Sequence, residues 1–256
     1  MRDLVRIELY KIVKRKDFWL MLSMIFIPIM YAVGLASNSS SFTYEGDGKV
    51  SAFGYASEMM IFVYMCFIYF IILSVCVIRS LKGEIENKSL LLYAQRVNNR
   101  KKIYSAKWTA YVILLFLIFA IFLLVSVAFY EIFLSGRGDI ASGRLLQEGE
   151  AQRIVCSIAS VLLCFIFTVS VALALGAYLK SFQAMGVYIF LWLGLMYIKE
   201  FTLVKYLAPI HYVEMIIDPE KNANITAQLL YLAVFVTIVS VTGYALGCRK
   251  FVRSDI

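Results

Sequence analysis

Residues 108–133 read WTAYVILLFLIFAIFLLVSVAFYEIF. No Asp, Glu, Lys or Arg interrupts the run from Trp108 to Tyr130. A bilayer crossing needs about 20 apolar residues. A helix apolar all round is buried in a large core or in a bilayer, and a soluble domain of 256 residues has too little interior for this much apolar surface. It therefore reads as a transmembrane helix. Outward from it in both directions, the same reading recurs.

Five further apolar runs cover residues 18–36, 59–78, 154–179, 182–198 and 229–248. The first contains Pro28 and the fifth span, 182–198, is the shortest. Glu58 and Glu131 sit at span ends, where headgroups and water reach them. Composition agrees: 62% of residues are apolar and only 16% charged, against about 25% charged in ordinary soluble domains. Mean hydropathy is +0.80. The expectation is an all-α membrane protein, one transmembrane domain over residues 1–256 with six spans.

Orientation follows from Lys and Arg placement. Of the 25 Lys and Arg, 18 fall in residues 1–17, 79–107, 180–181 and 249–256, and 7 fall in the intervening connections. Acidic residues run the other way, 6 against 11. Both termini are thus expected in the cytosol of a bacterial cell, the chain being multi-pass in its cytoplasmic membrane. The first apolar run is too long for a signal-peptide core and lacks a small-residue cleavage site, so it reads as an uncleaved anchor. The same bias accounts for the net charge of +8 without a nucleic-acid partner.

Several chemistries lack their residues. Cys66, Cys76, Cys156, Cys164 and Cys248 lie in or beside spans, and no Cys-x-x-Cys exists. With His211 the sole histidine, a zinc site of ordinary make-up is not expected. Ser126, Ser157, Ser160, Ser170 and Ser240 lie in spans with no intramembrane His or Asp to activate them. Such serines serve helix packing. Gly243 and Gly247, and more loosely Ala172 and Gly176, have the small-residue spacing that lets neighbouring helices approach. Arg137-Gly138-Asp139 is treated as a chance tripeptide.

Three segments outside the spans carry pattern. In residues 2–17, Val5, Leu9, Ile12 and Val13 fall within one arc of about 100° at helical spacing. Arg6, Lys11, Lys14 and Arg15 fall opposite, with Glu8 three residues before Lys11. This predicts an amphipathic interfacial helix in the inner headgroup layer. Residues 79–107 form the largest cytosolic connection, and Leu90, Leu91 and Leu92 within it need a partner if exposed. Residues 200–228 are too apolar for a solvated loop and are split by Pro209, next to His211. They predict two short helices dipping into the outer leaflet or capping a dimer.

The layout resembles the permease subunit of type-2 ABC exporters, the group that includes bacteriocin-immunity, lantibiotic-immunity and drug-efflux permeases. The resemblance rests on a basic amphipathic helix leading to an aromatic pair (Glu8, Lys11, Lys14, Arg15, Phe18, Trp19). It rests also on a loop after the second span with Glu84, Glu86, Leu90, Leu91, Leu92, Arg100 and Lys107. Lys88-Ser89 and Asn98-Asn99 depart from the family pattern. The short fourth-to-fifth connection, Lys180-Ser181, and Pro209 before the last span also fit. The resemblance implies two permease chains, as a homodimer or with a related partner, and two separate ATPase subunits docking on residues 84–93. ATP and Mg would be held by those partners. This chain has no Gly-x-x-x-x-Gly-Lys-Ser/Thr, so it is not itself expected to be an enzyme or to bind a cofactor. The implied function is ATP-driven export of a hydrophobic or cationic substrate, such as an antimicrobial peptide; the outer connections hold 7 basic and 11 acidic residues. The alternatives are an ion-coupled secondary transporter, disfavoured by the absence of midplane ionisable groups, and a non-transporting scaffold or regulatory subunit.

Overall fold

The computed structural model describes residues 1–37, 48–87, 89–90, 97, 99–218 and 224–253. Among these the secondary structure is helical, with one isolated backbone bridge between Val50 and Ala141 and no strand. The elements in order are α1 (Arg2–Val13), α2 (Lys16–Leu22), α3 (Phe26–Ala36), α4 (Ala52–Met65), α5 (Ile68–Ile78), α6 (Arg100–Phe133), α7 (Ala151–Tyr178), α8 (Ser181–Ile198), α9 (Pro209–Ile217) and α10 (Ile225–Arg253). A 3-10 turn, Ser23–Ile25, joins α2 to α3. A π-helical turn, Arg79–Gly83, follows α5 and runs into a single turn, Glu84–Glu86.

Among the described residues five helices are long and apolar enough to cross a membrane: Lys16–Ala36, α6, α7, α8 and α10. There are six if one bent helix pair is counted as a single span. The pair Ala52–Met65 and Ile68–Glu86 passes the same test together but bends by 69° at its join. The sequence predicted an unbroken second span from residue 59; the helix instead starts at Ala52, with Ser51 capping Gly54 N–H at 3.1 Å, and breaks at Cys66. There Cys66 leaves helical geometry, at φ −73° and ψ 82°, and the Phe67 N–H turns back to the Met65 carbonyl at 2.9 Å. No proline or glycine lies at the break. The bend is held by rings: Phe67 and Phe70 both stack on Trp192 of α8, at 6.1 and 4.4 Å, and Phe70 also meets Phe165 of α7 at 4.5 Å.

At 34 residues, α6 is about 51 Å long, well over the ~30 Å hydrocarbon core. Its first turns therefore project beyond the apolar layer, and they receive α1 along one side. Phe251, near the end of α10, meets Tyr104 of α6 at 5.8 Å. Both chain ends thus gather at one end of the bundle, the end rich in Lys and Arg. At the other end, the Tyr130 hydroxyl donates to the Val50 carbonyl at 2.6 Å, and Arg153 donates to the Ile217 carbonyl at 2.7 Å. Arg137 pairs with Asp139 and donates to the Leu35 carbonyl, so this tripeptide closes a loop onto α3.

The bundle centre is α7, whose most extensive contact is with α10. In lipid, helices associate through close van der Waals fit rather than hydrophobic expulsion. Gly243 provides that fit, lying against the Ser170 carbonyl, where an added Cβ would sit at 3.5 Å. A Cβ at Gly247 would sit 3.1 Å from Ala174 Cα and would overlap the Tyr104 hydroxyl. Gly176 abuts Ile78 of α5 in the same way. The small-residue pairs noted in the sequence therefore join neighbouring spans of one chain.

The Tyr104 hydroxyl is buried and finds no hydrogen-bond partner among the described residues. Leaving such a group unpaired costs about 1–3 kcal/mol. Gly247→Ala should lower the thermal unfolding midpoint in detergent by several degrees, while Tyr104→Phe should leave it unchanged or raise it. The double variant should recover part of the Gly247→Ala loss, because the hydroxyl is the tightest obstacle. Additive losses in a thermal scan would contradict this packing.

Candidate functional site

At the terminal end of the bundle, four charged side chains meet at the junction of three elements. Lys107, on the second turn of α6, has no exposed surface. Its ammonium donates to Glu8 Oε2 of α1 at 2.8 Å, to Glu84 Oε2 at 2.9 Å and to the Ser80 carbonyl of the π turn at 2.7 Å. An ammonium has three N–H donors, and all three are used. Lys11, one turn after Glu8, bridges the outer oxygens of both carboxylates, at 3.1 and 3.4 Å. Two positive and two negative groups therefore alternate, and the cluster is locally neutral.

Burying charges is unfavourable unless they are paired and every donor is satisfied. Here both conditions hold only when α1, the turn after α5 and α6 are together. Desolvation pushes the Glu84 carboxyl up, but Lys107 and Lys11 outweigh it and hold the group below its ordinary value. The wide π turn is what presents the Ser80 carbonyl to Lys107; such turns recur at functional sites.

The same turn reaches the fifth span. Glu86 accepts hydrogen bonds from the Ser181 backbone N–H at 3.1 Å and the Ser181 hydroxyl at 2.8 Å. These bonds hold its carboxyl below the ordinary range. A carboxylate at the first turn of α8 also suits the helix dipole. An open cleft of about 700 Å³ lies between α1 and this turn, lined by Lys11, Lys14, Arg15, Arg79, Glu84 and Glu86.

The residues singled out in the sequence fall into distinct places. Ile12 is buried, Val5 and Leu9 are partly buried against the core, and Val13 is 42% exposed. The apolar arc of α1 is thus turned largely onto α6 rather than wholly onto lipid. Lys14 is exposed and Arg15 partly so. Leu90 is fully buried within the chain, so it is not an exposed anchor; Leu91 and Leu92 lie outside the described residues. Arg100 is partly buried at the start of α6. Lys107, singled out as the lysine that precedes the third span, is the buried centre of the cluster.

Glu8 was not foreseen as a buried residue. The available signal was its position four residues before Ile12, on the edge of the apolar arc, opposite a lone lysine at the start of the longest apolar run.

At the other end, Pro209 occupies the first turn of α9, where its missing N–H is harmless. His211 packs edge-on to Tyr206 and against Tyr212, each at 5.6 Å. Burial and Lys205 hold its imidazole below the ordinary value. The expected pair of short helices is one 3-10 turn, Lys205–Leu207, and one helix, α9. Leu203 and Leu207 of the first part are exposed, whereas Ile210, Val213 and Ile216 of α9 are buried. Among the described residues no group of three His, Cys, Asp or Glu could hold a metal ion.

No family model and no curated protein matches the chain. The ion cluster gives its own prediction. Lys107→Met leaves Glu8 and Glu84 with only the partly exposed Lys11 to offset two carboxylates, a loss that approaches the roughly 3–5 kcal/mol of a broken buried pair. It should release α1, seen as protease cleavage near Arg15 and a lower unfolding midpoint. Glu84→Gln should be milder, since Lys107 keeps Glu8 and Ser80. Because the Glu84 value is depressed, its contribution is complete above the ordinary carboxylate range and is lost only as pH falls through the depressed value. The N-terminal helix of the unaltered chain should therefore stay protected at mildly acidic pH.

Proposed function

We propose that the chain is the membrane-spanning subunit of an ATP-driven exporter with the layout of a type-2 ABC permease, both termini in the cytosol of a bacterial cell. Its ATP-binding subunits are separate chains, and its second half is another copy or a related permease. The observation that carries this reading is the buried cluster of Glu8, Lys107, Glu84 and Lys11. It ties the turn after the second span to the N-terminal helix and to the third span, while Glu86 ties it to the fifth. A push on that one connection is thereby delivered to several spans as a rigid unit, which is what a motor in a separate subunit requires.

Two further features support transport. The break at Cys66 is irregular backbone within a span, and such backbone is tolerated where it is buried in protein or lines a cavity. A cavity of about 500 Å³ lies beside it, lined by Tyr64, Met65, Trp192, Met196, Lys199 and Glu214 among others. Its aromatic and apolar walls suit a hydrophobic substrate, while Glu214 is already paired with Lys199. A secondary transporter or a scaffold would have no use for a clamp that joins a peripheral connection to three spans.

Two measurements test the reading. Leu91→Asp with Leu92→Asp should abolish association with the ATPase while membrane insertion is unchanged; an ATPase captured at unaltered yield by the double variant would refute the docking assignment. Cysteine labels at Lys49 and Gly143 should react from outside intact cells and one at Asn99 should not. Outside labelling at Asn99 would reverse the orientation on which ATPase docking depends.

A further inference from the structure

An apolar groove of about 520 Å³ opens sideways between α6, α7 and α10 on the half of the bundle nearer the termini. Its walls include Trp108, Thr109, Leu163, Ile166, Val236 and Val241. The polar groups at its back are already engaged. Trp108 donates to the Ser170 hydroxyl at 3.1 Å, and that hydroxyl in turn donates to Ser240 at 2.9 Å. Ser105 and the Tyr244 hydroxyl are bonded to each other at the mouth. The floor therefore offers few free polar atoms, and the groove suits a hydrocarbon chain.

The mouth is charged. Ser105, Trp108 and Thr109 lie on one face of α6, and at helical spacing Lys101 and Lys102 continue that face one turn further out. Both lysines are exposed, and neither forms an ion pair among the described residues. Lys101 also lies within electrostatic reach of Cys248, one turn past Tyr244 on the opposite wall. Two ammonium groups thus sit above a ring pair, Trp108 and Tyr244, of the kind that anchors at headgroup level, and below the rings lies the apolar slot.

We propose that this groove is a binding site for one anionic phospholipid of the leaflet at the terminal end, its acyl chain between α6 and α10 and its headgroup phosphate on Lys101 and Lys102. The site needs only that the bundle is in a membrane, so it stands apart from the exporter reading.

Bromine on an acyl chain quenches a tryptophan it touches. The test is a full-length Trp19→Phe, Trp192→Phe variant, leaving Trp108, in phosphatidylcholine vesicles containing about one-tenth brominated phosphatidylglycerol. Each lysine near an anionic surface favours the anion by roughly fivefold, so two together should enrich the site by about 25-fold. Quenching should then reach about three-quarters, far above the share of brominated lipid. Lys101→Gln with Lys102→Gln should return it to that share, and Lys101→Arg with Lys102→Arg should keep it high. Quenching equal to the lipid's share in the parent, or unchanged by the glutamines, overturns the site. Absence of quenching by brominated forms of either lipid also overturns it, since a second copy of the chain would then fill the groove. Should the tryptophan variant not fold, native mass spectrometry of the wild-type chain from such vesicles decides. Retained phosphatidylglycerol in excess of its share, lost in the glutamine variant, supports the site, and retention in proportion refutes it.

Discussion

A lysine ammonium with no exposed surface has one acceptable environment: three acceptors at hydrogen-bond distance and enough negative charge to replace water. Lys107 meets that demand only through Glu8, Glu84 and the Ser80 carbonyl, which reach it from α1 and from the turn after α5. Apolar helix surfaces slide over one another with little preference. A cluster of alternating charges has a single register, because any displacement strands a buried charge. The placement of α1, the length of the π turn and the depth at which α6 emerges are all tied to that register.

The rest of the bundle accommodates itself to it by close fit. Gly243 and Gly247 bring α10 onto α7, and Gly176 brings α7 onto α5. Phe70, Phe165 and Trp192 fill the space that the bent second span opens between α5, α7 and α8. Apart from the unpaired Tyr104 hydroxyl, hydroxyls described in this layer bond to backbone carbonyls or to other side chains. Thr168 meets Tyr188 at 2.9 Å, and Tyr111 donates to the Cys76 carbonyl at 2.9 Å. These bonds keep polar groups from facing lipid unpaired. The terminal end is held by ion pairs and the centre by shape, so a force applied at the first reaches the second through rigid helices.

Much of this architecture was legible in the chain. An apolar run of 23 residues from Trp108 to Tyr130 has no stable place outside a bilayer. The same logic placed the other spans except the second, which starts at Ala52 and breaks at Cys66, and the glycine spacing marked helices that approach closely. Pro209 marked the start of α9 for a local reason, its fixed φ and missing N–H. The candidate site was legible only in part. Glu84, Glu86 and Lys107 stood out as charges flanking spans, but nothing in their spacing said that Lys107 would be buried or Leu90 occupied within the chain.

What the sequence determined by itself follows from period and solvent preference. Helical segments, their ends and the basic side of the bundle depend only on neighbours along the chain and on the bilayer. What only the tertiary structure decided depends on residues far apart in sequence. Glu8 and Lys107 are separated by 99 positions, and their pairing turns an amphipathic surface helix into a docked one. The break at Cys66 is likewise set by rings from α7 and α8, since no proline or glycine marks it. A charge is tolerated in a buried place only when its partner is there to meet it, and the partner's position is a property of the fold.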